Sequence, residues 1–364
     1  MLTPTLTLYV MGAALRGVAV SALVLLSVVW LLDFVELTRA IGARIEVSFW
    51  SLAYLSLLHA PALAVRVCPF IVLFGMMGAL HQLNRRSELI VMRAAGVSAW
   101  RFLGPSLLTA AVVGALAAAL LDPLAARLQA HYEVVRARLV APTQTSAPPR
   151  VWLREVATDR QAVISGVRAN DDPNALVDAT ILVSLRTPEG DLTFDRRFDA
   201  DRAVMENGYW RLLAVRETLA SGATRQRDQM IETTVLTRAE FADPTPPADA
   251  LSFWALRGAA ERTRRAGYAA QRYVLKWHRL AALPVTLAAM AALAASVSIR
   301  TIRSGGTARL VGWGVCAGFG VYFFDSVLSA LGASGVLPAP LPAWLTPQGA
   351  LLPGLGAFAV VEDG

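Results

Sequence analysis

Six almost wholly apolar blocks, separated by polar loops, dominate the pattern of this chain. They cover residues 9–32, 49–80 and 99–121, then 273–299, 310–331 and 337–361. Each supplies about the 20 apolar residues that a helix needs to cross a hydrocarbon layer of ~30 Å, so the pattern predicts six transmembrane helices, three plus three. The last block is cut by Pro338, Pro340, Pro342, Pro347 and Pro353, which leaves a short uninterrupted core. Between the two groups the apolar blocks give way to short runs rich in Val, Ile, Leu, Trp and Thr. Runs at 151–156, 162–168, 179–186, 203–205 and 209–217 read as strands, with Glu189-Gly190-Asp191 and Glu206-Asn207-Gly208 as turns. The expected fold class is an α-helical multi-pass membrane protein with an inserted all-β domain of sandwich or jellyroll kind. Its parts are a transmembrane half at 1–139, the β domain at 140–250 and a second transmembrane half at 251–364. In the last β run Trp210, Leu212 and Ala214 alternate imperfectly with Arg211, Leu213, Val215 and Arg216. Either both faces carry apolar residues around a lipid-lined groove, or two sheets pack tightly together.

Composition narrows the class. At 364 residues, 55% hydrophobic and mean hydropathy +0.49, the chain is too apolar for one soluble domain. The net charge of +7 comes almost wholly from arginine, since Lys276 is the only lysine, and nucleic acid is not its expected partner. The 81–101 loop sets Arg85, Arg86, Arg93 and Arg101 against Glu88, and 300–309 holds Arg300, Arg303 and Arg309 without an acid. Basic short loops face the cytosol, which puts both termini there and the β domain on the other side, the periplasm in a bacterium. The first segment has Arg16 and no small-residue cleavage pattern, so it reads as a retained anchor. Cys68 and Cys316 lie in apolar runs, as buried thiols do, and His59, His81, His131 and His278 lack zinc-ligand spacing. Asp122 and Asp325 fall at span ends, where acids cap helices or meet water.

A nucleotide-binding loop needs Gly-Lys-Ser/Thr, and Lys276 stands instead in Val274-Leu275-Lys276-Trp277. The chain is therefore expected to be no enzyme and to hold no cofactor. The basic loop offers a place for an outside engine. Ser87 caps a helix start, Leu89, Met92 and Ala95 recur on one side, and Gly96 with Ser98 stops it, giving one amphipathic helix over about residues 82–97. Such a helix either docks a cytosolic partner or lies on lipid headgroups through its arginines. Charges inside or beside the spans are the other candidates, because a charge facing lipid is costly and tends to mark a cavity. Arg66 lies between Pro61 and Pro69, Arg39 and Arg44 follow the first span, and Arg127, Arg136 and Arg138 extend the third. Their guanidinium groups can hold the phosphates of an anionic lipid bidentately, or snorkel to ordinary headgroups.

The stretch Arg86-Ser87-Glu88-Leu89-Ile90-Val91-Met92-Arg93-Ala94-Ala95-Gly96-Val97-Ser98 resembles the coupling-helix signature of the lipopolysaccharide export permeases of LptF/LptG type. The resemblance extends to Pro61 and Pro69, Trp152, Tyr209-Trp210-Arg211-Leu212, the stretch from Tyr273 to Pro284, Phe324-Asp325 and Gly335-Val336-Leu337-Pro338, and so covers nearly the whole chain. It implies one half of an ABC transporter that extracts lipopolysaccharide from the inner membrane and passes it to a periplasmic bridge. The implied partners are a sister permease, a dimeric cytosolic ATPase (LptB type) that holds the ATP and Mg, a membrane-anchored periplasmic jellyroll subunit (LptC type) and the bridge itself (LptA type). Docking falls to Arg86, Ser87, Glu88, Leu89, Met92, Arg93 and Gly96, and lipid phosphates to Arg39, Arg44, Arg66, Arg127 and Arg136. The resemblance also implies a lateral gate made by the first span of one permease and the fifth of the other. Phe34-Val35-Glu36 and Asp325-Ser326 favour LptG over LptF. Leu8 stands where the family usually has a basic residue, and Asp33 and Ala40 where some members do, so the basic ring is expected from Arg39, Arg44 and Arg127 instead. Two other functions fit the architecture: a scaffold or assembly protein with a periplasmic binding domain, and an exporter of another anionic lipid.

Overall fold

The first apolar block folds as a single helix, α1 (Pro4–Leu37), closed by a π-helical turn at Thr38–Gly42. The structure, a computed structural model, describes residues 4–42, 48–94, 98–140, 150–156, 160–169, 171–186, 192–234, 241, 247–265, 270–304 and 307–363. The second block is α2 (Phe49–Arg85), which continues through Pro61 and Pro69. A lost backbone N–H is tolerated in a span where neighbouring helices and side chains satisfy the freed carbonyl. After the short α3 (Glu88–Ala94), the third block runs as α4 (Ala99–Leu116), a π-helical turn at Ala117–Leu121 and α5 (Asp122–Val140). The last helices are α6 (Phe253–Arg265), α7 (Gln271–Ser304), α8 (Thr307–Ala333) and α9 (Pro340–Asp363).

Five helices among the described residues are long and apolar enough to cross a membrane: Thr5–Ile41, Phe49–Arg85, Trp100–Ala137, Gln271–Ser298 and Arg309–Ala333. The sixth expected block is the 24-residue helix α9, interrupted by Pro347 and Pro353 and diluted by glycine, and it is not one of the five. The chain divides into a helical unit, which takes in Pro247–Arg257, and a second unit that holds the strands.

Within the helical unit α7 is the hub, packed against α2, α4, α8 and α9. Its Leu280, Leu283, Leu287, Met290, Ala291 and Ala294 share one buried cluster with Ala14 and Val18 of α1, residues from Cys68 to Met77 of α2, and Ala110 of α4. Small residues set the closest crossings. A Cβ on Gly75 would stand 2.6 Å from the Val18 Cα, and one on Gly114 would stand 2.7 Å from the Pro284 Cα. Without a membrane hydrophobic effect to press helices together, such close backbone approach supplies the packing. Burial is uneven: 61% of the most apolar stretch of α7 is buried, against 6% for α1 and 11% for α8, which leaves those two spans mostly facing outward.

The second unit is one antiparallel sheet of six strands in chain order, β1 (Arg150–Val156), β2 (Arg160–Arg168), β3 (Ala175–Arg186), β4 (Leu192–Glu206), β5 (Tyr209–Leu219) and β6 (Thr224–Thr233). The described strands thus make a meander, each pairing with its predecessor, where a sandwich or jellyroll would place strands in two layers. The ends of the meander nevertheless meet. Arg160 of β2 pairs with Glu232 of β6 at 2.6 Å, and the Thr234 hydroxyl donates to Glu155 of β1 at 2.5 Å. That curl wraps a core of Ile164, Ile181, Phe198, Met205, Trp210, Leu212 and Phe241. Phe241 stands edge-on to Trp210 at 5.2 Å and lies under the Arg168 guanidinium at 5.0 Å. At the surface, the hydrogen bond from Arg202 holds the Asp171 carboxyl below the usual carboxylate range.

The imperfect alternation of β5 has a local cause. Its buried positions are Trp210, Leu212, Val215 and Glu217, so the buried phase slips by one residue at Ala214, whose φ is +52°. Asp178 of β3, with φ +51°, makes the same slip between Leu176 and Ala179, and β4 slips alongside between Ala200 and Ala203. Pairing keeps its register across this line, with Val177 opposite Arg202 and Leu213 opposite Arg202 on the other side. A residue in the left-handed region turns the pleat over. One buried face therefore continues across the seam.

Candidate functional site

One end of the helical unit carries α3. The chain leaves α2 through Arg86 and Ser87, both exposed, and Ser87 takes φ +59° while its carbonyl accepts the Val91 N–H at 3.0 Å. A serine in the left-handed region is strained, and here it turns the chain so that α3 starts afresh at Glu88. The single amphipathic helix expected over 82–97 is therefore two pieces, the last turn of α2 and the seven-residue α3. Glu88 is half-buried because the Tyr9 hydroxyl of α1 donates to its Oε2 at 2.6 Å. Met92 packs on a cluster made by Val10 of α1, Leu80 and Leu83 of α2, Phe102 and Leu103 of α4, Ala295 of α7 and Phe358 of α9. So α3 lies on α2 and, through Met92, against a cluster to which five helices contribute. The side chains of Leu89 and Arg93, and all of Gly96, lie outside the described residues. Ser98 precedes α4 as expected, yet its side chain makes no capping hydrogen bond.

The expected phosphate-binding arginines lie toward the opposite end. Arg39 is exposed in the π-helical turn after α1, between the buried Leu37 and Ile41. Those two pack with Leu52, Leu55 and Leu58 of α2 and Tyr132 of α5, the helix that carries Arg127 and Arg136. Arg127 and Arg136 do not converge. Nine residues apart on α5, they are separated by about two and a half turns of 3.6 residues and leave the helix on opposite faces. Arg66 is exposed on α2, eight residues beyond Leu58 and so about 12 Å farther along the helix. Beside it an apolar pocket of about 240 Å³ is lined by Leu26, Val29, Trp30, Pro61, Leu63 and Leu121 among others. Arg44 lies outside the described residues.

Three polar constellations inside the spans went unread in the sequence. Asp33 of α1 takes the His59 Nδ1 at 2.8 Å and the Ser56 hydroxyl at 2.7 Å, and His59 stacks on Tyr132 at 5.0 Å. Asp122 does not meet water: it accepts the Phe253 N–H, the first of α6, at 2.7 Å, and faces Lys276 at 3.6 Å. Lys276 also donates to the carbonyls of Leu251, Ala248 and Asp249 at 2.8, 3.2 and 3.3 Å, while Trp254 donates to Ala119 in the π-helical turn. Asp325 of α8 pairs with Arg279 of α7. The only hint was composition, since an acid and a base inside apolar blocks need partners, but spacing along the chain does not say which.

Long apolar helices packed on a central span, with a separate sheet inserted between them, define a multi-pass membrane protein. The chain belongs to the family described as lipopolysaccharide export system permease LptF/LptG, whose model matches residues 8–358. It is accordingly a permease component of a transporter in the inner membrane. No curated protein matches the chain.

Proposed function

We propose that the chain is one permease half of an ABC transporter that lifts lipopolysaccharide from the inner membrane and passes it to a periplasmic bridge, with a separate dimeric ATPase docking on α3. The observation that carries this reading is the placement of Glu88: a carboxylate at the start of a short surface helix, seated through Met92 on a cluster drawn from five spans. Force applied there reaches the bundle as a whole. The sister permease is LptF-like, with this chain on the LptG side, and the jellyroll subunit and bridge continue the path beyond the β unit. Both termini face the cytosol, α9 serves as the sixth span, and the sheet lies in the periplasm. Arg39, Arg66 and Arg127 meet lipid phosphates, and the apolar pocket next to Arg66 suits an acyl chain, since its walls offer no polar partner.

The decisive experiment is Glu88→Arg in the co-expressed complex. The variant is expected to stay in the membrane and lose at least about tenfold in ATPase co-purification, as a reversed charge at a docking contact does. Wild-type amounts of ATPase on the variant would overturn the reading.

A further inference from the structure

The Tyr9 hydroxyl is the only described side chain of α1 that forms a hydrogen bond to α3. Its O–H···O distance of 2.6 Å is that of a charge-assisted bond. Tyr9 uses only Oε2 of Glu88, and a carboxylate has further lone pairs on its other oxygen, so the bond leaves Glu88 able to receive a cation from outside. The next residue, Val10, is buried in the cluster that seats Met92. The start of α1 is thus joined to α3 by the Tyr9 bond, beside an apolar cluster that both share. Elsewhere α1 is the least buried of the candidate spans, held chiefly by its close crossing with α2 at Gly17 and Gly75.

We infer that Tyr9 is a positioning residue that makes α1 follow α3, so that engagement of Glu88 by the ATPase moves the first span. This rests on the reading of α3 as the docking helix. Farther along, α1 lies against α2 and is bonded to it through Asp33, so a push on α3 enters α1 at its first turns through Tyr9, and a span facing outward changes the opening beside it when its end shifts. Tyr9 is 40% exposed, so Tyr9→Phe keeps the ring and removes only the donor without disturbing the core.

The test uses the assembled complex of this chain, its sister permease and the ATPase in proteoliposomes loaded with lipopolysaccharide. Tyr9→Phe is expected to retain the ATPase at wild-type stoichiometry, while lipid released per ATP hydrolysed falls several-fold. A purely structural role would lower the unfolding midpoint and leave that ratio alone. If Tyr9→Phe keeps the wild-type ratio while Glu88→Arg loses the ATPase, the inference falls and the docking reading stands. If Glu88→Arg keeps the ATPase, the docking reading itself falls.

Discussion

Lys276 reaches three backbone carbonyls and the Asp122 carboxylate from inside an apolar helix, a setting in which an unpaired charge is costly. Removing the amine would strand a carboxylate that is 4% exposed along with the carbonyls. Lys276→Met should therefore destabilise the purified protein by about 3–5 kcal/mol, read as a lower unfolding midpoint in detergent. Lys276→Met/Asp122→Asn should recover part of the loss, and a single variant as stable as wild type would refute the clamp. The sequence marked Lys276 as unusual but could not pair it, because Asp122, Leu251 and Lys276 meet only after the chain has left the bundle and returned. Ala214 shows the opposite limit. Nothing in an alanine announces a left-handed backbone, so the slip in alternation left open a sheet apolar on both faces or two packed sheets, when it is one face turned over. Arg127 and Arg136 were legible as charges near one end, and their divergence followed once α5 was known to be regular helix.

At the scale of elements, the apolar blocks found their helices because a span must carry its own backbone hydrogen bonds and a long apolar run does so only as helix. Boundaries extended past the blocks: α5 continues to Val140, well beyond the end of apolarity at Leu121, because its Leu128, Tyr132 and Val135 pack on α1 and α2. The helix expected in the basic loop starts later than its pattern suggested, since the break at Ser87 depends on a backbone angle and not on a hydrophobic period. β6 was missed altogether, being a polar edge strand with mostly exposed residues held by pairing to β5. Strands β1, β2, β3 and β5 were found with ends shifted by a few residues, and only the last part of β4 was read. Where elements meet, the α1–α2 crossing is the sharpest test. Gly75→Leu puts a side chain where a Cβ alone already stands 2.6 Å from backbone of α1. Overpacking of this kind costs about 1–3 kcal/mol and should push α1 off α2. A cysteine pair across the crossing should then oxidise more slowly than in the parent, and an unchanged rate would count against the packing described.

For the molecule as a whole, α1 and α8 turn large apolar side chains outward along their length, among them Leu23 and Val24 on α1 and Phe319 and Phe323 on α8. If these faces border the lipid path and the sister subunit, a photocrosslinking residue at Val24 or Phe319 should capture lipopolysaccharide or the sister permease in membranes. The same residue at Leu352 on α9, more exposed than either, should capture no lipopolysaccharide. Equal capture from all three positions would remove the distinction between faces. Sequence alone determined that the chain crosses a membrane several times, that a β unit interrupts the spans and that a basic loop carries Glu88. Those features follow from local periodicity and transfer free energy, which each segment carries by itself. Tertiary structure decided which charges are partners, where the pleat of the sheet turns over and that Tyr9 reaches Glu88 across 79 positions of chain. Such contacts join residues distant in sequence, and only the packing of whole helices and strands fixes which of them meet.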